Sequence, residues 1–151
     1  MVSAVAKREY KIDSNKKEIR LTKTGYKGIK RELSSTNLLG RCVIETILDG
    51  IYKKDKYYYD EDFSENNTMW NSYNCVIKSS AKCDDGDKFD EQTGMRICET
   101  KADLKYHNMM YNRYVYVDYV LGKLKLAISK LEKKHLEKIE RLERDLDQYQ
   151  K

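Results

Sequence analysis

Residues 120–150 read VLGKLKLAISKLEKKHLEKIERLERDLDQYQ, and the reading of that run decides the fold. Leu121, Leu124, Ile128, Leu131, His135, Ile139, Leu142, Leu146 and Tyr149 recur at gaps of three and four, the spacing of an apolar stripe along a long helix. From Leu124 onward the gaps are 4, 3, 4, 4, 3, 4, 3. The doubled four around His135 is a stutter, which locally straightens a supercoil. Lys, Arg and Glu fill the intervening positions. The spacing therefore predicts a coiled-coil-like arm with an oligomer seam at Leu131, His135, Ile139, Leu142 and Leu146. A homodimer through this C-terminal helix is expected, because no chain remains past Leu131 to cover the stripe. The rival reading packs the stripe back on the protein's own domain.

The same spacing runs backward through Ile97, Lys101, Leu104, His107, Tyr111, Tyr114 and Asp118 toward Phe89. A single helix of ~60 residues would be roughly 90 Å long. A break near Asn108–Asn112 or at Gly122 would give a helix pair instead. The chain contains no Pro to force a break.

Upstream, polar and apolar residues alternate. Tyr10 and Ile12, then Ile19 and Leu21, flank the turn cluster Asp13-Ser14-Asn15, which predicts a hairpin over 8–24. Gly25 and Gly28 mark a loop. Ser34 to Asn37 offer N-caps for a helix over 36–49, with Gly50 as its stop. A strand pair turning at Asp49-Gly50 competes, because Val43, Ile44, Thr46, Ile47 and Ile51 are β-branched. Tyr57-Tyr58-Tyr59 reads as an edge strand followed by an acidic surface loop. Met69 to Cys83 reads as a strand, or two short ones, with Trp70, Tyr73, Cys75, Ile77, Ser79 and Ala81 on one face and Val76 opposite. The predicted architecture is α+β: a small antiparallel sheet with one short helix in residues 1–90, packed on a long helix or helix pair in 91–151.

Composition narrows the function classes. The 151 residues carry 30 Lys and Arg against 25 Asp and Glu, a net charge of +5, which permits an anionic partner without demanding one. The excess is concentrated near the N-terminus, where Lys7, Arg8, Lys11, Lys16, Lys17 and Arg20 are candidates for nucleic-acid contact. Four Cys without C-x-x-C spacing and two His argue against a zinc site, and the acidic run Asp84-Asp85-Gly86-Asp87 lacks the closing Glu of a calcium loop. No metal and no cofactor are expected. No nucleophile elbow, phosphate-binding Gly loop or H-E-x-x-H is present, so the expected protein is not an enzyme. No apolar span suggests a membrane, and the expected location is the cytosol. Thirteen Tyr supply contact area with a polar tip. Tyr57, Tyr58, Tyr59, Tyr111 and Tyr114, with Arg113, are the candidate partner-binding residues.

The junction Cys83-Asp-Asp-Gly-Asp87-Lys-Phe89-Asp90-Glu-Gln-Thr-Gly94 reads as a strand-to-helix turn with a helix cap. Its pattern C-x-x-x-D-x-F-D-x-x-x-G resembles one found in small phage and prophage accessory proteins of Gram-positive hosts, over about 25 residues. Ile97, Cys98 and Lys101 fit the apolar-then-basic continuation, whereas Glu99 and Asp103 make this helix more acidic than the pattern. The resemblance implies a phage accessory origin, a host bacterial cytosol, and an anti-defence role such as an anti-CRISPR-like inhibitor. Such an inhibitor would bind a host defence effector protein or ribonucleoprotein and block nucleic-acid or partner access. Two alternatives accompany it. One is a sponge that sequesters a nucleotide signal at an oligomer seam near Phe89, Arg96 and Arg113. The other is a phage DNA- or RNA-binding accessory protein.

Overall fold

The computed structural model describes residues 7–55 and 74–150. The fold is α+β. In chain order it has strands β1 (Arg8–Asp13) and β2 (Glu18–Lys27), helices α1 (Ile29–Ser34) and α2 (Arg41–Asp55), strand β3 (Asn74–Lys82) and helix α3 (Glu91–Tyr149). The sheet is antiparallel throughout, with β2 between β1 and β3. By contacts the chain forms two compact units, Met1–Arg113 and Tyr114–Lys151.

The predicted hairpin forms, and its turn is closed locally. Asp13 Oδ1 accepts from the backbone N–H groups of Asn15 and Lys16, each at 3.1 Å, an Asx-turn. Lys17 takes a left-handed φ of 49° to re-enter the sheet. Strand β2 runs past the expected loop at Gly25. The pairing with β3 shifts register between Lys23 and Tyr26, and Gly25 sits in that bulge at φ 89°, where a side chain would be strained.

Alternation divides the sheet into two faces. Ile19, Leu21 and Lys23 of β2 and Cys75, Ile77 and Ala81 of β3 are buried, while Arg20, Val76, Lys78 and Ser80 between them are exposed. Helix α3 covers the first face. It does so through Gly94, Cys98, Ala102, Tyr106 and Met110, spaced by four, of which the last four are buried. A Cβ at Gly94 would stand 2.6 Å from Ile19 Cδ1, so the bare backbone lets the helix seat directly on β2. Cys98 Sγ donates to the Ile19 carbonyl at 3.3 Å, and Ser79 Oγ donates to the Cys98 carbonyl at 2.6 Å.

Two expectations are corrected here. The residues extrapolated backward from the C-terminal stripe are not the packed face: Ile97, Leu104 and Tyr111 are 43%, 61% and 68% exposed. The helix prefers its small residues because they allow close approach to the sheet. The second helix begins at Arg41 rather than 36 and runs through Gly50 to Asp55, so the strand pair at Asp49-Gly50 does not form. The hydroxyls read as N-caps instead close the end of α1, which the sequence reading did not foresee. Ser34 Oγ donates to Lys30 O, Ser35 Oγ to Glu32 O and Thr36 Oγ1 to Leu33 O. Ile44, Leu48 and Ile51 form the buried side of α2, and Lys30 Nζ bridges to Asp49 at 2.8 Å.

Between one helix and two, the chain is one. Helix α3 is continuous for 59 residues, through Asn108–Asn112 and Gly122. Asp90 starts it. Its Oδ1 accepts from Gln92 N–H at 3.2 Å, its Oδ2 accepts from Thr93 Oγ1, and its carbonyl accepts from Gly94 N–H at 3.0 Å. Those bonds from Thr93 and the backbone hold the Asp90 carboxyl below the usual carboxylate range. No described helix is long and apolar enough to cross a membrane.

Candidate functional site

Helix α3 meets the sheet with a belt of charge along the packed edge. Arg8 Nε lies 2.6 Å from Glu99 Oε1, and Tyr10 Oη donates to the same oxygen at 2.6 Å. Lys23 Nζ, buried, lies 2.7 Å from Asp103 Oδ1, which also accepts from Tyr26 Oη. Tyr26 stacks on Tyr106 with ring centroids 4.4 Å apart, and Tyr106 Oη donates to the Lys27 carbonyl at 2.8 Å. Burial, reinforced by the Glu99 hydrogen bond, pushes the Tyr10 hydroxyl up to about 12. Burial first, then neighbouring carboxylates, raise Tyr26 and Tyr106 as well. Hydrogen bonds from Lys23 and Tyr26 hold Asp103 below the usual carboxylate range. Glu99 and Asp103 are the two residues that depart from the phage-like pattern, and both are matched to cations of the hairpin. The belt is a saturated structural network. Among the described residues no buried side-chain polar atom lacks a partner.

The motif that carries the resemblance is also structural. Cys83 Sγ reaches the Asp87 carbonyl at 3.6 Å, Asp87 N–H donates to Asp84 O at 3.1 Å, and Lys17 Nζ donates to the Asp85 and Asp87 carbonyls. Asp90 caps the helix and Gly94 admits Ile19. A cavity of about 510 Å³ lies over this turn, lined among others by Lys82, Asp84, Asp87, Lys88, Phe89 and Asp90. Three carboxylates against two lysines make it poorly suited to an anionic nucleotide, and neither Arg96 nor Arg113 lines it. No group of three or more His, Cys, Asp and Glu among the described residues is placed to hold a metal ion.

Among the described residues, none covers the other face of the sheet. Cross-strand pairing sets Lys11 beside Arg20 and Arg20 beside Ser80, Thr22 beside Lys78, and Glu18 beside Lys82. A shallow depression of about 490 Å³ follows these rows, lined by Lys11, Glu18, Arg20, Thr22, Lys78 and Ser80 among others. Arg20 is held in place by Glu18 through Nε and Nη2, at 3.2 and 3.1 Å.

Of the six cations expected to touch nucleic acid, only Lys11 and Arg20 reach this face. Arg8 lies on the helix side against Glu99, Lys17 is tied into the Cys83 turn, Lys16 is in the hairpin turn and Lys7 precedes β1. Lys78 and Lys82 complete the face, and the sequence reading did not single them out. Their signal was present, since they alternate with Ile77, Ser79 and Ala81. Of the expected partner-binding residues, Tyr111 is exposed, Arg113 and Tyr114 are half-buried, and Tyr57, Tyr58 and Tyr59 lie outside the described residues. The seam residues Leu131, His135, Ile139, Leu142 and Leu146 are all exposed, as is every residue from 121 to 150.

No family model matches the chain, and no curated protein or solved structure does.

Proposed function

We propose that the protein acts by binding rather than by catalysis, as a phage-type accessory inhibitor in the host bacterial cytosol that docks on a host defence effector and blocks its access to nucleic acid or to a partner. The observation that carries this reading is the open sheet face. Exposed cations at Lys11, Arg20, Lys78 and Lys82 share it with Glu9, Asp13 and Glu18. Charges of both signs on a fixed, flat scaffold suit the mixed surface of a protein, where matched and mismatched charges set specificity. A duplex backbone would instead favour an unbroken row of cations. This face therefore supports a protein target over the nucleic-acid accessory reading. The acidic lining beside Phe89 likewise weighs against the nucleotide sponge.

The test is restoration of phage growth. The protein is expressed in bacterial hosts carrying single defence systems, CRISPR effectors among them, and plating efficiency is compared with the variant R20E/K78E. Restored plating against one system, lost in the variant while its fold is retained, is the expected result. Plating that stays restricted in every host contradicts the proposal. Purified protein that instead binds duplex DNA with a steep salt dependence would establish the nucleic-acid reading.

A further inference from the structure

Residues 121–149 form a helical surface with no buried side chain, yet the seam leucines and isoleucines from Leu121 to Leu146 are each 40–57% exposed. A lone helix in water draws little stability from propensity alone, and Gly122 lowers it further. Three features of the seam identify what covers it.

The first is symmetry. The nine seam positions have gaps 3, 4, 3, 4, 4, 3, 4, 3, which read the same in both directions from His135. An antiparallel copy therefore meets the seam layer for layer. Leu121 faces Tyr149, Leu124 faces Leu146, Ile128 faces Leu142, Leu131 faces Ile139, and His135 faces itself. A stutter placed off-centre would leave a break in one helix opposite regular heptads in the other. Here the break falls on the two-fold axis. The second is charge along the helix. Residues 121–134 hold five lysines against Glu132, a net +4, while residues 136–149 hold five carboxylates against three cations, a net −2. Antiparallel pairing sets each basic half beside an acidic half, whereas parallel pairing sets like beside like. The third is the flank of the seam, where Lys125 falls opposite Glu143 of the second copy.

We propose that this helix pairs with a second copy of the chain as an antiparallel two-stranded coiled coil whose two-fold axis passes through the His135 layer. The pairing is independent of the inhibitor reading, and it would give any target two copies of the sheet unit.

One flank pair opposes this arrangement and supplies the test. Lys134 meets Lys138 of the second copy beside the His135 layer. In a parallel dimer Lys138 would instead meet Glu143. The substitution K138E therefore acts with opposite sign in the two polarities. Sedimentation equilibrium of the full chain measures the dissociation constant of wild type, K138E, E143K and the charge swap K125E/E143K. The antiparallel dimer is expected to tighten roughly tenfold in K138E, weaken roughly tenfold in E143K, and recover in the swap. Weakening in K138E with no recovery in the swap would establish the parallel dimer and overturn the proposal. A wild-type chain that stays monomeric, or forms a trimer or larger bundle, overturns it as well.

Discussion

Gly94 sets how closely helix α3 approaches strand β2, and its effect is separable from helix propensity. Alanine there would gain about 1 kcal/mol of propensity. It would also drive its Cβ to 2.6 Å from Cδ1 of the fully buried Ile19, where overpacking costs about 1–3 kcal/mol. G94A is therefore expected to destabilise the protein by about 1 kcal/mol in urea unfolding. Ile19→Val removes the offending atom and leaves a contact near 3.4 Å, so G94A in that background should be neutral or stabilising. A double-mutant cycle with no coupling would show that the helix does not rest on Ile19. Asp103 gives a pH signature. Its carboxyl is held lower in the fold than the ~3.9 of an unfolded chain. The stabilisation is complete above that value and is lost as pH falls through the lower folded value. The difference in urea midpoint between wild type and D103N should therefore be constant from pH 5 to 7 and shrink as pH drops below about 4. A difference that grows on acidification would contradict the Lys23–Asp103–Tyr26 arrangement.

At the scale of elements, what the sequence discloses depends on how each element earns its stability. The hairpin and β3 are legible because alternation and the Asp13 turn are local. The long helix is legible because a seam at gaps of three and four needs no partner to be seen. Its packed face is not, because Gly94, Cys98 and Ala102 pack by smallness and offer little apolar area, while the larger Ile97 and Leu104 draw attention to the wrong side. Helix α1 is six residues long, too short for any periodicity. The sheet's open face was half legible. Lys11 and Arg20 were singled out for charge, but their separation from Arg8 and Lys17 is set by register and by the partners Glu99 and the Cys83 turn, none of which is near in sequence. The C-terminal end of α3 makes an element-scale prediction. Residues 131–151 include no buried residue among those described, so a chain ending at Lys130 should keep the cooperative unfolding transition of the sheet unit, monitored by near-UV circular dichroism, while losing self-association. Loss of that transition would make the helix end part of the core.

Across the whole molecule, the proposed antiparallel pairing of the C-terminal half of α3 about His135 sets the distances between the two copies. An antiparallel pair separates equivalent residues by twice their distance from the axis, at 1.5 Å per residue. Spin labels on cysteines introduced in a C42S/C83S background at Lys123, Lys133 or Asp147 read this directly. Pulsed electron-electron distances should be short at position 133, where the axial separation is about 6 Å, and long at 123 and 147, where it is about 36 Å at each. Short distances at all three positions would mean a parallel pair, and the absence of any dipolar coupling would mean no pair at all; either result would overturn the antiparallel arrangement.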